Sequence, residues 1–147
     1  MKIFKNRKAA HEFFFVQEIE AGIVLTGSEI KSVREGKINF KDAYAKIENS
    51  EVWLYNLHIS SYDKANYFDH EPERKRKLLL NRREIRKLTI KVEEKGFTLV
   101  PKDLYLNEKG LAKLTLAVAK GKKLYDKRET LQKKDEIRDL ERRQKYE

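Results

Sequence analysis

The segment Phe97-Thr-Leu-Val-Pro-Lys-Asp-Leu-Tyr-Leu106, then Asn107-Glu-Lys-Gly110, then Leu111-Ala-Lys-Leu-Thr-Leu-Ala-Val-Ala119, reads as two strands joined by a short turn. Leu114, Leu116 and Val118 alternate with Lys113, Thr115 and Ala117, and side chains two apart on a strand share a face. Pro101 has no amide hydrogen to give to a ladder, so it marks either a sheet edge or a bulge.

Upstream of this pair the pattern switches to helix. Asn81, with Glu84 three residues later, has cap spacing. Ile85, Leu88 and Val92 then form one apolar stripe, and Gly96 closes it. Thr26-Gly-Ser-Glu29 is a capping box, with Leu25 and Ile30 at the flanking staple positions. Gly36 suits a left-handed stop, so a helix is expected over 27–35 with Ile30 and Val33 on its buried side. Phe13 to Leu25 is aromatic and β-branched strand material, interrupted at Ala21-Gly22. Ala43, Ala45 and Ile47 alternate with Tyr44 and Lys46. A second alternating run covers residues 52–59, and Asn49-Ser50 makes a hairpin turn between the two. Residues 61–70 have no period and are expected as a loop, and Pro72 suits the start of a helical turn. About six strands and two or three short helices in roughly 120 residues predict a mainly β fold, a small antiparallel barrel.

Lys and Arg number 34 against 24 Asp and Glu, a net charge of +10, and there is no cysteine. A disulfide framework or a thiolate metal site is therefore excluded. The longest purely apolar run, Phe13 to Val16, is far short of the roughly 20 residues of a membrane helix. The first eight residues do not resemble a signal peptide. The chain is expected to be cytoplasmic. On composition alone, a basic excess allows either nucleic acid or a membrane surface as partner.

The charge is unevenly placed. Residues 1–11 carry +4 and residues 12–70 carry −4. Residues 71–87 carry +5, residues 88–119 carry +1, and residues 120–147 carry +4. The Arg74-Lys-Arg-Lys77 run enters Leu78-Leu79-Leu80 and then Asn81-Arg-Arg83. Such cations neutralise phosphates and release counterions. Two of the three leucines are expected in the core, and one is available to present an apolar surface to unstacked bases. After Gly121 large apolar groups become sparse, and a chain this charged buries too little to offset its ordering entropy. Residues 1–121 are thus expected to form the barrel domain. Residues 122–147 are expected as a basic tail, mobile alone and helical when bound.

No phosphate-binding glycine loop and no nucleophile–base arrangement is readable. His11, His58 and His70 are the only histidines, and their surroundings form no catalytic pattern. The chain is expected not to be an enzyme and to need no cofactor or metal. A general RNA-binding barrel or ribosomal protein shares the charge pattern.

Six ordered blocks go further. They are Asn6-Arg-Lys-Ala-Ala-His11-Glu-Phe13, Glu20-Ala-Gly22, Gly27-Ser-Glu-Ile-Lys31-Ser-Val-Arg34-Glu-Gly36, Asn39-Phe-Lys-Asp-Ala-Tyr44, Arg76-Lys-Leu-Leu-Leu-Asn-Arg82-Arg-Glu-Ile85 and Ala119-Lys-Gly-Lys122-Lys-Leu-Tyr125-Asp-Lys-Arg128. Together they resemble the small protein B (SmpB) family, the SsrA-binding proteins that act with transfer-messenger RNA (tmRNA) in ribosome rescue. The resemblance implies an oligonucleotide-binding-type (OB-fold) barrel that clasps the tRNA-like part of tmRNA. It also implies a tail that enters the decoding centre and empty mRNA path of the small ribosomal subunit during trans-translation. Elongation factor Tu is the implied partner in loading, and a monomer is expected.

Carried over by position, Asn6, Glu20, Leu79 and Lys113 are the implied tmRNA-binding residues. Arg7, Lys8, His11, Lys31, Arg34, Arg76, Lys77 and Arg82 are added from the basic blocks. Asn6 can donate and accept toward a base edge. Glu20 can accept from a guanine edge or hold a basic neighbour. For Glu29 the capping role is sufficient. Lys122, Lys123, Tyr125, Asp126, Lys127 and Arg128 are the implied ribosome-binding positions, with Tyr125 able to stack on a base.

Overall fold

A computed structural model describes residues 2–61 and 71–122. The expectations for a tail beyond Lys122 and for nearly all of the 61–70 loop lie outside the described residues. In chain order the elements are β1 (Ile3–Lys5), α1 (Arg7–Glu12), β2 (Phe13–Ile23), α2 (Gly27–Arg34), β3 (Ile38–Asn39), β4 (Tyr44–Glu48), β5 (Glu51–Tyr55), β6 (His58–Ile59), β7 (Arg76–Leu79), α3 (Arg82–Glu93), β8 (Thr98–Leu106) and β9 (Ala112–Gly121).

Six antiparallel strands close a ring in the order β8-β4-β5-β7-β2-β9, and β9 returns to β8. β8 holds the closure: it runs along β9 on one edge and meets β4 at Ala45↔Leu99 and β1 at Ile3↔Tyr105 on the other. β3 and β6 form a separate two-stranded ribbon. Closure leaves few unpaired strand edges. The fold is mainly β, an OB-type barrel with helices α1, α2 and α3 among the described residues.

The alternation predicted for residues 111–119 sets the core. Leu114, Leu116 and Val118 of β9 point inward and are fully buried, beside Leu99 and Leu104 of β8, Val52 and Leu54 of β5, and Leu78 of β7. Val33 of α2 and Leu88 of α3 complete the cluster. Burying each such side chain contributes about 1.5–3 kcal/mol. A second, smaller cluster lies on the outer face, where Ala9 of α1 covers Val100, Ala117 and Ala119, flanked by Phe13 and Phe15. Ala117 therefore shares a face with Lys113 and Thr115, as the period requires, yet is buried under a helix. Its small side chain lets α1 approach the sheet.

Both capping boxes are present, with Thr26 and Asn81 each bonded to the third helical residue and back. Pro101 proves to be a bulge, since the β8–β9 register shifts between Pro101 and Asp103. Two local expectations are corrected, and a segment given no element gains one. β2 runs unbroken through Ala21-Gly22 and bulges instead between Phe15 and Gln17. The run at 52–59 divides into β5 and β6, with Asn56 in left-handed backbone (φ 66°) at the division. The basic run at 76–79 is strand β7, which fills the gap between β5 and β2.

Glu29 does more than cap α2. Its carboxylate is fully buried and accepts from the Thr26 amide (2.8 Å), from Arg74 Nη2 (2.5 Å) and from Arg76 Nε (2.6 Å). Arg76 is itself fully buried and also donates to the carbonyls of Leu57, Pro72 and Arg74 at 2.6–3.2 Å. Burial pushes the Glu29 carboxyl up. Hydrogen bonds from Arg74 and the Thr26 amide, together with Arg76, outweigh that and hold it below its ordinary value of 4.5.

A carboxyl with a lowered folded pKa stabilises above its ordinary value, and loses that contribution as pH falls through the lowered one. Glu29→Gln is expected to cost on the order of 3–5 kcal/mol at neutral pH, because it leaves two buried or half-buried guanidiniums without their anion. The gap between wild type and Glu29→Gln should narrow as the pH is taken down to about 3. Urea unfolding followed by Trp53 fluorescence at the two pH values checks both statements.

Candidate nucleic-acid interface

Strand register brings distant residues into rows. Ile3, Tyr105, Lys113, Gly22 and Leu79 lie opposite one another across β1, β8, β9, β2 and β7. Two residues along, Lys5, Asp103, Thr115 and Glu20 form the next row on the same outer face. Glu20, Leu79 and Lys113 are thereby assembled on one surface.

Each row member has a definite environment. Leu79 is 54% exposed, while Leu78 is buried and Leu80 packs against the core. The leucine triplet thus divides two in and one out. Gly22 faces Leu79 across the strands, and a Cβ at Gly22 would stand in ordinary contact with the Leu79 side chain at 3.4 Å. Lys113 has no carboxylate within ion-pair distance among the described residues. Exposed Glu20 accepts a hydrogen bond from the Tyr105 hydroxyl, which pushes the Tyr105 pKa up to about 12. Its neighbour is a phenol, where sequence reasoning allowed a base edge or a cation.

α1 lies on the same outer face beside the second row. Arg7, Lys8 and His11 are exposed on it, with Lys8 bonded to Asp42 at 2.5 Å. Asn6 requires a correction. It is 4% exposed, and both ends of its amide are engaged: Nδ2 donates to the Pro101 carbonyl (2.7 Å) and Oδ1 accepts from the Ala9 amide (3.1 Å). It presents no edge to a base. It caps α1 and fastens it to the β8 bulge, and so sets where Arg7 and Lys8 stand.

Arg76 is the second correction, because its guanidinium lies inside the barrel end and meets no surface. Lys77, next along β7, points outward; it pairs with Glu51 at 3.6 Å and faces Trp53 across the strands. Lys31 and Arg34 are exposed on α2, and a Cβ on Gly110 would lie 3.2 Å from Arg34 Nη2, which places Arg34 against the turn joining β8 and β9. Arg82 is exposed at the start of α3. Lys122 folds back on the barrel, donating to the Ala10 carbonyl (3.2 Å) and lying 5.1 Å from the Phe14 ring centre. Lys123, Tyr125, Asp126, Lys127 and Arg128 lie outside the described residues.

Tyr105 and Gly22 were missed by sequence reasoning. The signal for Tyr105 was an aromatic at an outward position between Leu104 and Leu106. Gly22 read as a break, whereas β2 runs through it and pairs it with a leucine 57 positions away, which no local pattern reveals. The surface combines an exposed aliphatic group, an ammonium and a carboxylate–phenol pair, edged by a basic helix. Those are binding groups. Among the described residues no three His, Asp or Glu side chains gather as a metal site, and no helix is long and apolar enough to cross a membrane.

The family model described as SmpB protein matches residues 3–146. The SsrA-binding proteins of Desulfitobacterium hafniense (strain DSM 10664 / DCB-2) and Thermoanaerobacter pseudethanolicus are each 56% identical over 140 residues, which is 95% of this chain and 89% of theirs. A solved chain from "tmRNA-SmpB: a journey to the center of the bacterial ribosome" is 47% identical and superposes with a TM-score of 0.71, covering 83% of this chain and 85% of that one. The barrel, its outward row and these matches together place the chain in the SmpB protein family.

Proposed function

We propose that this protein binds the tRNA-like domain of tmRNA and delivers it to the A site of stalled ribosomes for trans-translation. The observation that carries the reading is the convergence of Glu20, Leu79 and Lys113 on one outer face by strand register. Relatives that share more than half of its residues are named for binding SsrA, and its structural neighbour comes from a tmRNA–SmpB ribosome complex. Leu79 supplies apolar contact to a base or sugar, Lys113 meets a phosphate, and Glu20, held by Tyr105, accepts from a donor on the RNA. Arg7, Lys8, His11, Lys31, Arg34, Lys77 and Arg82 border this face and add charge. Asn6 and Arg76 act on it indirectly, by fixing α1 and β7.

The protein itself performs no covalent step in this reading. It occupies space and neutralises charge. Lys122, Lys123, Tyr125, Asp126, Lys127 and Arg128 begin a ribosome-facing segment, and the tail to Glu147 fills the decoding centre and the empty mRNA path. It acts in the cytoplasm as a monomer, with elongation factor Tu on the aminoacylated tmRNA.

Leu79→Ala removes exposed surface, so it should leave the thermal midpoint unchanged while weakening tmRNA binding by about 1–2 kcal/mol, roughly 5–30-fold. Filter binding alongside a thermal melt checks both halves. Removing residues 130–147 should spare tmRNA affinity yet abolish peptide tagging on stalled ribosomes. Binding to isolated tmRNA and tagging in a reconstituted translation system, measured on the same truncated protein, separate the two activities. Loss of both together contradicts the assignment.

A further inference from the structure

The cations of this protein fall into two sets. On and around the sheet several are matched by a nearby carboxylate: Lys8 with Asp42, Lys41 with Glu73, Lys75 with Glu48, Lys77 with Glu51 and Lys102 with Glu18. The first two turns of α3 differ. Arg82, Arg83, Arg86 and Lys87 are all exposed, and none has a carboxylate within ion-pair distance among the described residues. Glu84, the acid in that stretch, is turned back onto the Asn81 amide in the capping box. Arg82–Arg86 and Arg83–Lys87 are like-charge pairs at i, i+4, which disfavour the helix. Among the described residues, no acid relieves this repulsive patch.

The neighbourhood of the patch indicates what relieves it. α3 begins three residues after Leu79, on the same passage of chain. An open groove between α3 and the Asn49-Ser50 turn is lined by Arg82, Arg86, Thr89 and Ile90, and also by Glu51, which Lys77 holds at 3.6 Å. Ile90 is 47% exposed beside these cations. Three of the four cations are arginines, which favours bidentate contact with phosphate.

We propose that α3 is the phosphate-binding arm of the same RNA interface: Arg83, Arg86 and Lys87, with Arg82, track the backbone of the tmRNA whose bases or sugars meet Leu79. This rests on the tmRNA-binding reading and adds to it a separate surface with a separate task. The sheet rows supply shape and polar contact, and the helix supplies charge neutralisation.

The test is a salt titration of binding to the tRNA-like domain of tmRNA. It compares full-length wild type, the triple variant Arg83→Gln/Arg86→Gln/Lys87→Gln, and Leu79→Ala. Each lost phosphate contact lowers the log–log slope by about 0.7–0.9, so the triple variant should lose about two units. Leu79→Ala should lose affinity with its slope unchanged. Glutamine is a good helix former and relieves the repulsion, so the triple variant should melt no lower than wild type. Wild type binding with a slope that the triple variant leaves unaltered overturns the arm while leaving the tmRNA reading intact. Absence of wild-type binding to this RNA overturns both. A lower melting point for the triple variant, with its slope unaltered, assigns the cations to folding and overturns the proposal as well.

Discussion

The buried pair between Arg76 and Glu29 decides how the barrel is assembled. β7 is only four residues long, yet it is the strand that joins β5 to β2 and so completes the ring. Its sequence, Arg-Lys-Leu-Leu, has no period-two alternation to specify its register, and a slip of one residue exchanges its two faces. Such a slip would turn Arg76 outward and Leu79 inward. The guanidinium prevents it, because its donors are all matched: one carboxylate on α2, and carbonyls at Leu57, Pro72 and Arg74. The same contacts tie together the two ends of the chain around residues 61–71, helped by the Ile59 amide bonded to the Pro72 carbonyl at 2.9 Å. A buried ion pair contributes little net stability compared with apolar packing, but it is costly to leave half-made. Here its effect is to fix which leucine faces the solvent.

From that constraint the outer face follows. With β7 in register, Leu79 lies opposite Gly22, and Gly22 opposite Lys113. The row exists because three strand pairings agree. Gly22 brings no side chain of its own to the row, and Leu79 lies beside it across β2. Asn6 plays a matching part at the other side of the face. Its amide joins the first turn of α1 to the bulge at Pro101, so a proline that interrupts the ladder also provides the carbonyl that anchors a helix. Two of the side chains expected to touch RNA are thus scaffolding for those that can.

Features encoded over a few residues were legible in the sequence. Thr26 with Glu29 and Asn81 with Glu84 announce helix starts by spacing alone, and both boxes form. The β8–β9 pair and the β4–β5 hairpin follow from alternation and their turns. What was not legible depends on distant partners. Asn6 reads as a free polar residue until Pro101, 95 positions away, is placed beside it. Arg76 sits in a run of four cations, and nothing local distinguishes the one that is buried from the three that are not. The six-residue α1 has no amphipathic period long enough to register, and only the tertiary cluster around Ala9 reveals it. Candidate residues carried over from the family blocks include several that strand register gathers on one face, but the blocks do not say which of them point into it.

The net charge of +10 describes this protein poorly, because pairing matters more than number. A lysine held by glutamate at 3–4 Å contributes little field beyond the pair, and at physiological salt screening removes most of what remains past about 8 Å. Lys77 of the sheet is of this kind, and Lys102 is held by Glu18. Among the described residues, Lys113 in the row and the arginines of α3 beyond it have no carboxylate within ion-pair distance, and they contribute more to the field an approaching polyanion meets. These lie on either side of Leu79 along the chain path from β9 through β2 and β7 into the helix. An apolar contact between two sources of unpaired positive charge excludes water where the electrostatic attraction acts, which strengthens both. The tmRNA-binding proposal draws on that combination, since a folded RNA with an unstacked base offers charge together with an apolar surface.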